Sequence, residues 1–308
     1  MQKRESKYFK TLFELLCYLS TMKDYLKLVK FSHTIFALPF AMVGFFLAVL
    51  DQGDLKLRTL VLVLLCMVFA RNAAMSFNRW ADRNIDARNP RTAKREIPAG
   101  VLSANKVLIF AISNSILFIV CSWFINPLCF YLSPVALAVV LGYSYAKLFT
   151  SLAHFILGIG LALAPIGAYL AVTGQFSIIS ILYGLVVLTW VAGFDIIYAL
   201  QDESVDVELG LHSIPSRFGS KGALKLSFFV HLICVSCLLI AAYLCAIKYE
   251  EMRYLFGIGT VLFLVLIFYQ HKLVKHDDLS RINMAFFKTN GMASLCFGLC
   301  FIIDAVLI

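Results

Sequence analysis

Residues 57–86 read LRTLVLVLLCMVFARNAAMSFNRWADRNID. The first part of this stretch is apolar enough to belong to a membrane span, which takes about 20 mostly apolar residues. The second part places Arg71, Asn78, Asp82 and Asp86 at spacings of 7, 4 and 4 residues. On a helix with about 3.6 residues per turn, these side chains share one face. The stretch therefore predicts a spanning helix that carries one cation, one amide and two carboxylates from inside the bilayer to its edge.

A second stretch farther along the chain has the same kind of pattern. Asp195, Tyr198, Asp202 and Asp206 follow one another at spacings of 3, 4 and 4 residues, again on one helical face. The last three of them stand 120 residues after the last three polar members of the first stretch. This offset indicates a diverged internal repeat, with four spans matched to four spans and a ninth added. In membrane proteins with such repeats, sites lie at the repeat interface.

The composition of the whole chain is typical of a membrane protein. Of its 308 residues, 61% are hydrophobic and 15% are charged, whereas soluble domains average about 45–50% apolar and about 25% charged residues. These values exclude a soluble globular enzyme, a disordered protein and a nucleic-acid-binding domain. The sequence gives no indication of an obligate protein partner. The formal net charge is nevertheless +9, so the position of the excess Lys and Arg is informative.

Nine apolar segments predict membrane-spanning helices. They cover residues 33–50, 57–77, 104–124, 128–146, 151–172, 177–199, 223–247, 254–270 and 288–308. We therefore expect an all-α membrane protein in which residues 33–308 form a single nine-helix domain in the lipid bilayer. Residues 1–32 are basic and contain only a short apolar run, so they are expected to form a cytoplasmic, interfacial segment before the first span.

Positive charges are distributed unevenly between the two sides of these spans. Of the 27 Lys and Arg residues, 22 fall in the N-terminal segment or in connections on the same side, four fall on the opposite side, and Arg71 lies within a span. By the positive-inside rule, the positively charged side is cytoplasmic. We expect a multi-pass protein of the bacterial inner membrane, with its N-terminus and its long polar loops in the cytoplasm.

The two acidic stretches predict metal and diphosphate chemistry at this cytoplasmic face. Two carboxylate clusters on one side repel each other unless cations lie between them. Hard oxygen ligands suit Mg²⁺, which takes one or two carboxylates together with substrate phosphate oxygens. The adjoining loop is rich in donors to a diphosphate: Arg88, Arg91, Lys94 and Arg95. The alternative interpretation, ordinary charged loops at a membrane surface, does not explain two clusters at matched positions.

Charged residues at membrane depth support a functional site. A charge there costs a few kcal/mol or more and is a functional candidate, which applies to Arg71 and Asp195. The alternative for these two residues is a structural ion pair between their helices. Tyr143 and Lys147, four residues apart on the fourth span, indicate the same site, although an interfacial lysine is the competing interpretation. His154 is interpreted as a packing or capping residue.

At these residues the sequence resembles the UbiA-type intramembrane prenyltransferases. The first motif of that family is N-D-x-x-D-x-x-x-D, which stands here as Asn78-Arg79-x-x-Asp82-x-x-x-Asp86. The second motif of the family resembles the stretch at residues 195–206. Together these motifs are highly specific, so the resemblance implies the fold of that family.

Two further segments look like the same family, and two positions depart from its pattern. The segments are residues 89–100, NPRTAKREIPAG, and residues 143–147, YSYAK. Arg79 replaces the usual second aspartate of the first motif, which leaves a smaller set of metal ligands there. Leu148 stands where many members have an arginine after the lysine. The resemblance covers about residues 33–219.

The resemblance implies a Mg²⁺-dependent prenyltransferase. In the implied reaction, a polyprenyl group passes from polyprenyl diphosphate to a ring carbon of an aromatic acid, in ubiquinone or menaquinone biosynthesis. Asn78, Asp82 and Asp86 would bind one Mg²⁺, and Asp202 and Asp206 would bind another. The acceptor that the resemblance favours is 4-hydroxybenzoate, and a naphthoate is the alternative.

The same resemblance implies roles for the cations and aromatic residues. Lys147 and Arg95 would stabilise the departing diphosphate, with Arg91 and Tyr143 as further substrate-binding residues. The ring of Tyr198 would shield or stabilise the allylic cation.

Two deeper residues would serve the acceptor. Arg71 would hold the carboxylate of the aromatic acid. Asp195 would assist deprotonation of the phenol, or would order Tyr198 or Arg71.

A secondary transporter is the alternative from another functional class, because transporters also use intramembrane charges and internal repeats. Their sites tend to lie near the bilayer midplane on broken helices. Here the acidic residues gather at one surface beside basic loops, which favours the enzyme.

Overall fold

Apolar helices make up most of the structure, a computed structural model that describes residues 23–29, 34–250, 252 and 254–307. Within these residues the only β-pairing is an isolated bridge between Lys275 and Asp278. The helices are α1 (Thr34–Gln52), α2 (Leu57–Ala81), α3 (Arg83–Arg88), α4 (Ala104–Ile125), α5 (Pro127–Ala146), α6 (Ala153–Thr173), α7 (Ile178–Ala199), α8 (Glu203–Glu208), α9 (Ile214–Lys248), α10 (Tyr254–Leu273) and α11 (Asn290–Leu307). A 3₁₀ turn (Leu200–Asp202) precedes α8, and a π-helical turn (Met284–Thr289) precedes α11.

Eight segments of the described chain are long and apolar enough to cross a membrane, which confirms an all-α membrane protein. They correspond to α2, α4, α5, α6, α7 with the turn and helix after it, α9, α10, and α11 with the turn before it. The remaining predicted span corresponds to α1, whose apolar part at residues 36–52 is shorter. The count of nine spans therefore stays a prediction.

The start of α9 differs most from the predicted spans. The helix begins at Ile214, whereas its apolar part was expected from residue 223. Ser213 Oγ accepts the N–H of Ser216 at 3.2 Å, and Ser216 Oγ accepts the N–H of Ser213 at 2.9 Å. This reciprocal cap starts a helix in a polar segment. The segment bends at Gly219, whose φ of +66° a side chain would strain.

The predicted basic segment at residues 1–32 lies mostly outside the described residues. Within it, residues 23–28 form a helix. Leu28 and Val29 are buried against Trp80 of α2 and Val107 of α4. This part of the segment therefore packs on the helical bundle.

The two ends of the bundle carry different polar clusters. At one end Lys147, after α5, contacts Asp82, after α2. At the other end Asp51 of α1 accepts hydrogen bonds from Tyr169 of α6 at 2.6 Å and from Tyr249, after α9, at 2.5 Å. The connections after α2, α5 and α7 thus share one end of the bundle. We call it the acidic end, and it carries Asp82, Asp86, Asp202 and Asp206.

An aromatic core holds α7 in the middle of the bundle. The Trp190 ring of α7 is fully buried and lies 5.5 Å from Phe40 of α1 and 5.4 Å from Phe263 of α10, measured between ring centroids. Phe40 in turn stacks on Phe297 of α11 at 5.4 Å. Because lipid tails are as apolar as these rings, close packing is what holds such helices together. The packing fixes the position of the polar end of α7.

Small residues bring α6 close to both of its neighbours. A Cβ atom at Gly44 of α1 would lie 2.1 Å from the carbonyl oxygen of Pro165 in α6. A Cβ atom at Gly158 of α6 would lie 2.5 Å from the carbonyl oxygen of Leu188 in α7. Close backbone contact at small residues is typical of helix packing in membranes. It sets the start of α6 against the end of α7.

The two acidic stretches lie on matching short helices. α3 and α8 are offset by 120 residues, in agreement with the internal repeat. The prediction of a continuous helical face is wrong, because α2 gives way to α3 at Asp82 and a 3₁₀ turn separates α7 from α8. The first break is slight, since the N–H of Asp86 still donates to the carbonyl of Asp82 at 2.8 Å.

Candidate active site

Asp82 lies between a cation and an amide. Lys147 Nζ is 2.7 Å from Asp82 Oδ2, and Asn78 Nδ2 donates to the same oxygen at 3.0 Å. Asp82 is only 5% exposed. Burial raises the pKa of its carboxyl, and the nearby Lys147 ammonium opposes that rise. The structure thus brings together two predicted metal ligands and one predicted diphosphate contact.

Asp86 has one paired oxygen and one unpaired oxygen. Arg95 Nη1 is 2.6 Å from Asp86 Oδ1, while Asp86 Oδ2 is buried with no hydrogen-bond partner. Thr92 Oγ1 donates to the Asp86 carbonyl at 3.0 Å and holds the following loop against α3. A buried acceptor without a partner costs about 1–3 kcal/mol. Asp86 Oδ2 is therefore suited to bind a ligand.

Asp202 is held from the opposite side of the site by the loop after α3. Arg91 Nε donates to Asp202 Oδ1 at 2.9 Å, and Arg91 Nη2 contacts Asp202 Oδ2. Asn89 Nδ2 also donates to Asp202 Oδ1, at 2.8 Å, and Asn89 Oδ1 accepts the N–H of Arg91 at 2.9 Å. Asn89 thus aligns the loop with the end of α7. Its role was missed by sequence reasoning, although it begins the family-like loop.

Tyr198 joins Arg91 to an aromatic stack. Arg91 Nη1 donates to the Tyr198 hydroxyl at 3.3 Å, and its guanidinium carbon lies 5.4 Å from the centre of the ring. Phe286 stacks on Tyr198 with centroids 4.0 Å apart and ring planes at 29°. The ring is therefore held in place beside a cation.

Asp195 is paired with His154, on the neighbouring helix α6. The two side chains meet at 2.7 Å between His154 Nδ1 and Asp195 Oδ2. The N–H of Ile214 donates to His154 Nε2 at 3.4 Å, so Nε2 is the unprotonated nitrogen and Nδ1–H donates to Asp195. His154 is buried and accepts the N–H of the first residue of α9, whose N-cap is Ser213. Its contact with Asp195 was missed, because nothing in the sequence pairs residues on these two helices.

Tyr143 connects the deeper residues with the acidic end. It lies within electrostatic range of Asp82, Asp195 and Arg71. Arg71 is partly buried, and its Nη2 donates to the Val29 carbonyl at 3.5 Å. Tyr143 therefore lies near both Arg71 and the acidic end, and the substrate-binding roles of these residues stay predictions.

Asp206 lies at the edge of the cluster on α8. It is half-buried and lies within electrostatic range of Asp202, Lys147 and His154. The loop after α8 is tied to the end of α5, since the N–H of His212 donates to the Lys147 carbonyl at 2.8 Å.

Within the described ranges, no group of three or more His, Cys, Asp or Glu side chains lies close enough together to hold a metal ion. The five predicted Mg²⁺ ligands therefore do not form a complete protein cage. Their oxygen donors still fit Mg²⁺, which usually takes one or two carboxylates and completes its shell with water and phosphate oxygens. The unpaired Asp86 Oδ2 provides one such donor. The metal roles of these residues stay predictions.

Comparison with known sequences agrees with this architecture. Residues 37–292 match the model of the UbiA prenyltransferase family. The chain is 30% identical over 240 residues to a protein from Tolumonas auensis named 4-hydroxybenzoate octaprenyltransferase. That alignment covers 78% of this chain and 82% of the relative.

Two solved structures share the fold. One is the apo structure of a UbiA homologue from Aeropyrum pernix K1, with a TM-score of 0.78 and 32% identity over 88% of this chain and 98% of that one. The other is a UbiA homologue from Archaeoglobus fulgidus bound to DMAPP and Mg²⁺. It has a TM-score of 0.73 and 20% identity over 92% of this chain and 100% of that one, so its likeness concerns the fold.

Proposed function

The chain belongs to the UbiA prenyltransferase family, and we propose that it transfers a polyprenyl group from polyprenyl diphosphate to a ring carbon of 4-hydroxybenzoate in quinone biosynthesis. The observation that carries the proposal is the set of ion pairs at the acidic end: Lys147–Asp82, Arg95–Asp86 and Arg91–Asp202. Such a set offers cations for a diphosphate and carboxylates for the metal that accompanies it. The name of the Tolumonas auensis relative supports the choice of acceptor.

The cations of these ion pairs would bind the diphosphate. Arg91 and Arg95 present planar guanidinium groups, which can bind two phosphate oxygens at once, and Lys147 adds a compact charge. Each of them now neutralises a carboxylate, so diphosphate binding exchanges one anionic partner for another. The same charges stabilise the negative charge that develops on the leaving oxygen as the bond to the prenyl carbon breaks.

The carboxylates of Asp82, Asp86, Asp202 and Asp206 and the amide oxygen of Asn78 would hold Mg²⁺. The Archaeoglobus fulgidus homologue binds DMAPP together with Mg²⁺, which supports this assignment. Bound Mg²⁺ supplies Lewis-acid stabilisation of the phosphate charge. When the three cations pair with the diphosphate, the carboxylate oxygens that they held become available to Mg²⁺.

Tyr198 would stabilise the allylic cation that remains after the bond breaks. Its ring already has a cation beside it, the Arg91 guanidinium at 5.4 Å, and Phe286 fixes its orientation. When Arg91 binds the diphosphate, this side of the ring becomes available to the prenyl cation. The apolar surroundings keep out water, which would otherwise capture that cation.

The acceptor would lie between Arg71 and Asp195. Arg71 would bind its carboxylate, and Asp195 would accept the proton of the phenol. After the ring carbon bonds to the prenyl cation, the hydrogen of that carbon passes to the oxygen of the former phenol, which restores the aromatic ring. His154 positions Asp195 through its Nδ1–H and does not relay the proton, because its Nε2 already accepts the N–H of Ile214. His154 is therefore a positioning residue.

The test is an acceptor assay on membranes containing the protein, with Mg²⁺ and a polyprenyl diphosphate. We expect a product prenylated on a ring carbon with 4-hydroxybenzoate, identified by mass spectrometry and by its fragment ions. Product formed only with a naphthoate would replace the proposed acceptor. No product with any aromatic acceptor, together with substrate uptake into vesicles, would favour a transporter. Because Lys and Arg concentrate in the connections on this side, we also propose that the acidic end faces the cytoplasm.

A further inference from the structure

Arg79, near the end of α2, is a buried cation with no ion-pair partner among the described residues. Its side chain is 4% exposed, and its Nε is buried with no hydrogen-bond partner. None of the ion pairs formed by the described residues includes it. The cations assigned above to the diphosphate, Lys147, Arg95 and Arg91, each pair with an aspartate. Arg79 thus differs from these three cations.

A buried guanidinium that forms no ion pair is unfavourable in the folded protein. Replacement by an uncharged side chain of similar volume would remove that penalty. Binding of an anion next to such a group lowers the free energy of the complex. The question is therefore which anion reaches Arg79.

The surroundings of Arg79 point to the diphosphate. Its electrostatic neighbours are Asp86 and Arg95, the ion pair assigned above to metal and diphosphate, together with Tyr143 and Glu96, and it forms an ion pair with neither carboxylate. Arg71, assigned to the acceptor carboxylate, lies eight residues earlier on the same helix. At about 1.5 Å per residue, the backbone positions of the two arginines are about 12 Å apart along the helix axis. Arg79 therefore lies at the diphosphate end of the site.

We propose that Arg79 is a further diphosphate-binding residue, whose guanidinium pairs with phosphate oxygens of the prenyl diphosphate. This inference rests on the proposed function. Where the first motif of the family has an aspartate, this chain has a fixed positive charge. The protein itself then supplies part of the charge neutralisation, so the diphosphate binds measurably even when divalent metal is removed.

The test is calorimetric titration of the purified full-length protein with inorganic pyrophosphate, in EDTA and in Mg²⁺. A hydrogen-bonded ion pair of this kind changes affinity by about tenfold to a hundredfold, so Arg79→Gln should weaken pyrophosphate binding in EDTA by that factor. The matched control is Arg83→Gln. Arg83 donates to the Trp80 carbonyl at 2.6 Å and lies 4.8 Å from the centre of the Trp80 ring, and its replacement should change affinity by less than about twofold.

Thermal unfolding separates this role from a structural one. Arg79→Met removes an unpaired buried charge, so its Tm without ligand should equal or exceed that of the unmodified protein. Pyrophosphate should raise the Tm of the unmodified protein more than that of the variant. A structural role for Arg79 predicts the opposite, a lower Tm with unchanged pyrophosphate affinity, and that result would overturn the inference.

Other outcomes are equally decisive. Binding of pyrophosphate to the unmodified protein only in Mg²⁺ would overturn the inference and leave the proposed function intact. If Arg79→Gln loses 4-hydroxybenzoate binding while pyrophosphate binding is unchanged, Arg79 binds the acceptor, and the inference is overturned. Failure of the unmodified protein to bind pyrophosphate under either condition would overturn the proposed function itself.

Discussion

Arg91 and Asp202 lie 111 residues apart and form a two-point ion pair, with Arg91 Nε 2.9 Å from Asp202 Oδ1 and Nη2 in contact with Oδ2. The pair connects the loop after the first acidic cluster to the second cluster. The two side chains are 31% and 18% exposed. The pair is therefore within reach of a ligand that enters from the acidic end.

Arg91→Lys should raise the KM for prenyl diphosphate and lower kcat/KM by about tenfold. Lysine keeps the charge but loses the paired hydrogen bonds to Asp202 and the contact with the Tyr198 hydroxyl. Steady-state kinetics with varied diphosphate and saturating acceptor measure the effect. Arg217→Lys, on α9, is the control, because Arg217 contacts Ser151 and has no contact with the aspartates of the site. An unchanged KM in Arg91→Lys would contradict a diphosphate contact.

Asp82→Ala and Asp202→Ala should each lower kcat by about a hundredfold or more, because each removes preorganised stabilisation of the leaving group. The variants should still insert into the membrane, since neither residue belongs to the apolar part of a span. The matched control is Asp54→Ala, which removes an exposed carboxylate whose partner is Lys56 at 3.5 Å. Product formation and protein content of the membranes are measured together. Near-normal activity in both site variants would refute the assignment.

His154→Leu should lower kcat by about tenfold or more with little change in the KM for prenyl diphosphate. The variant removes the donor that orients Asp195 but leaves the diphosphate contacts intact. His154→Gln offers a side-chain N–H in its place and should recover part of the activity. If kcat and KM for the diphosphate change together in both variants, His154 acts on the whole site and not through Asp195.

Asp51→Ala should lower the Tm and leave the reaction almost unchanged. The carboxylate accepts from Tyr169 and Tyr249 and pairs with Lys248 at 2.5 Å, which joins α1, α6 and the end of α9. Each buried hydroxyl left without a partner costs about 1–3 kcal/mol. Loss of the ion pair adds little, because the Lys248 side chain is 46% exposed. Scanning calorimetry in detergent and a low-temperature activity assay provide the two readouts. A large loss of activity below the Tm would show that this cluster, at the end opposite the site, affects catalysis.

Local patterns in the sequence were enough to predict the eight described segments that could cross a membrane and to single out Asp82, Asp86 and Asp202 as candidate site residues, whose roles stay predictions. A membrane span depends on a continuous apolar run, and the spacing of Asp82 and Asp86 depends on one short segment. The start of α9 was harder to predict from the sequence, because its first turns are polar. They are defined by the cap at Ser213 and the bend at Gly219. Hydropathy does not detect either feature.

Contacts between distant segments could not be predicted in the same way. The pairing of His154 with Asp195 depends on the close approach of α6 to α7, where Gly158 faces the backbone of α7. The contact of Asn89 with Asp202 depends on how the loop after α3 folds across the site. Composition and spacing indicate which residues share a helix face, whereas these contacts depend on how helices pack.

At the acidic end, three aspartates are neutralised by cations of the same chain, and this pairing has a thermodynamic consequence. A metal ion that takes Asp82, Asp202 or the paired oxygen of Asp86 must first displace Lys147, Arg91 or Arg95, and a diphosphate that takes one of those cations leaves an aspartate uncompensated. Each ligand therefore releases the groups that the other requires, and their affinities must be heterotropically linked by the same factor in both directions. In such a linkage, the metal-bound prenyl diphosphate is favoured over either component alone.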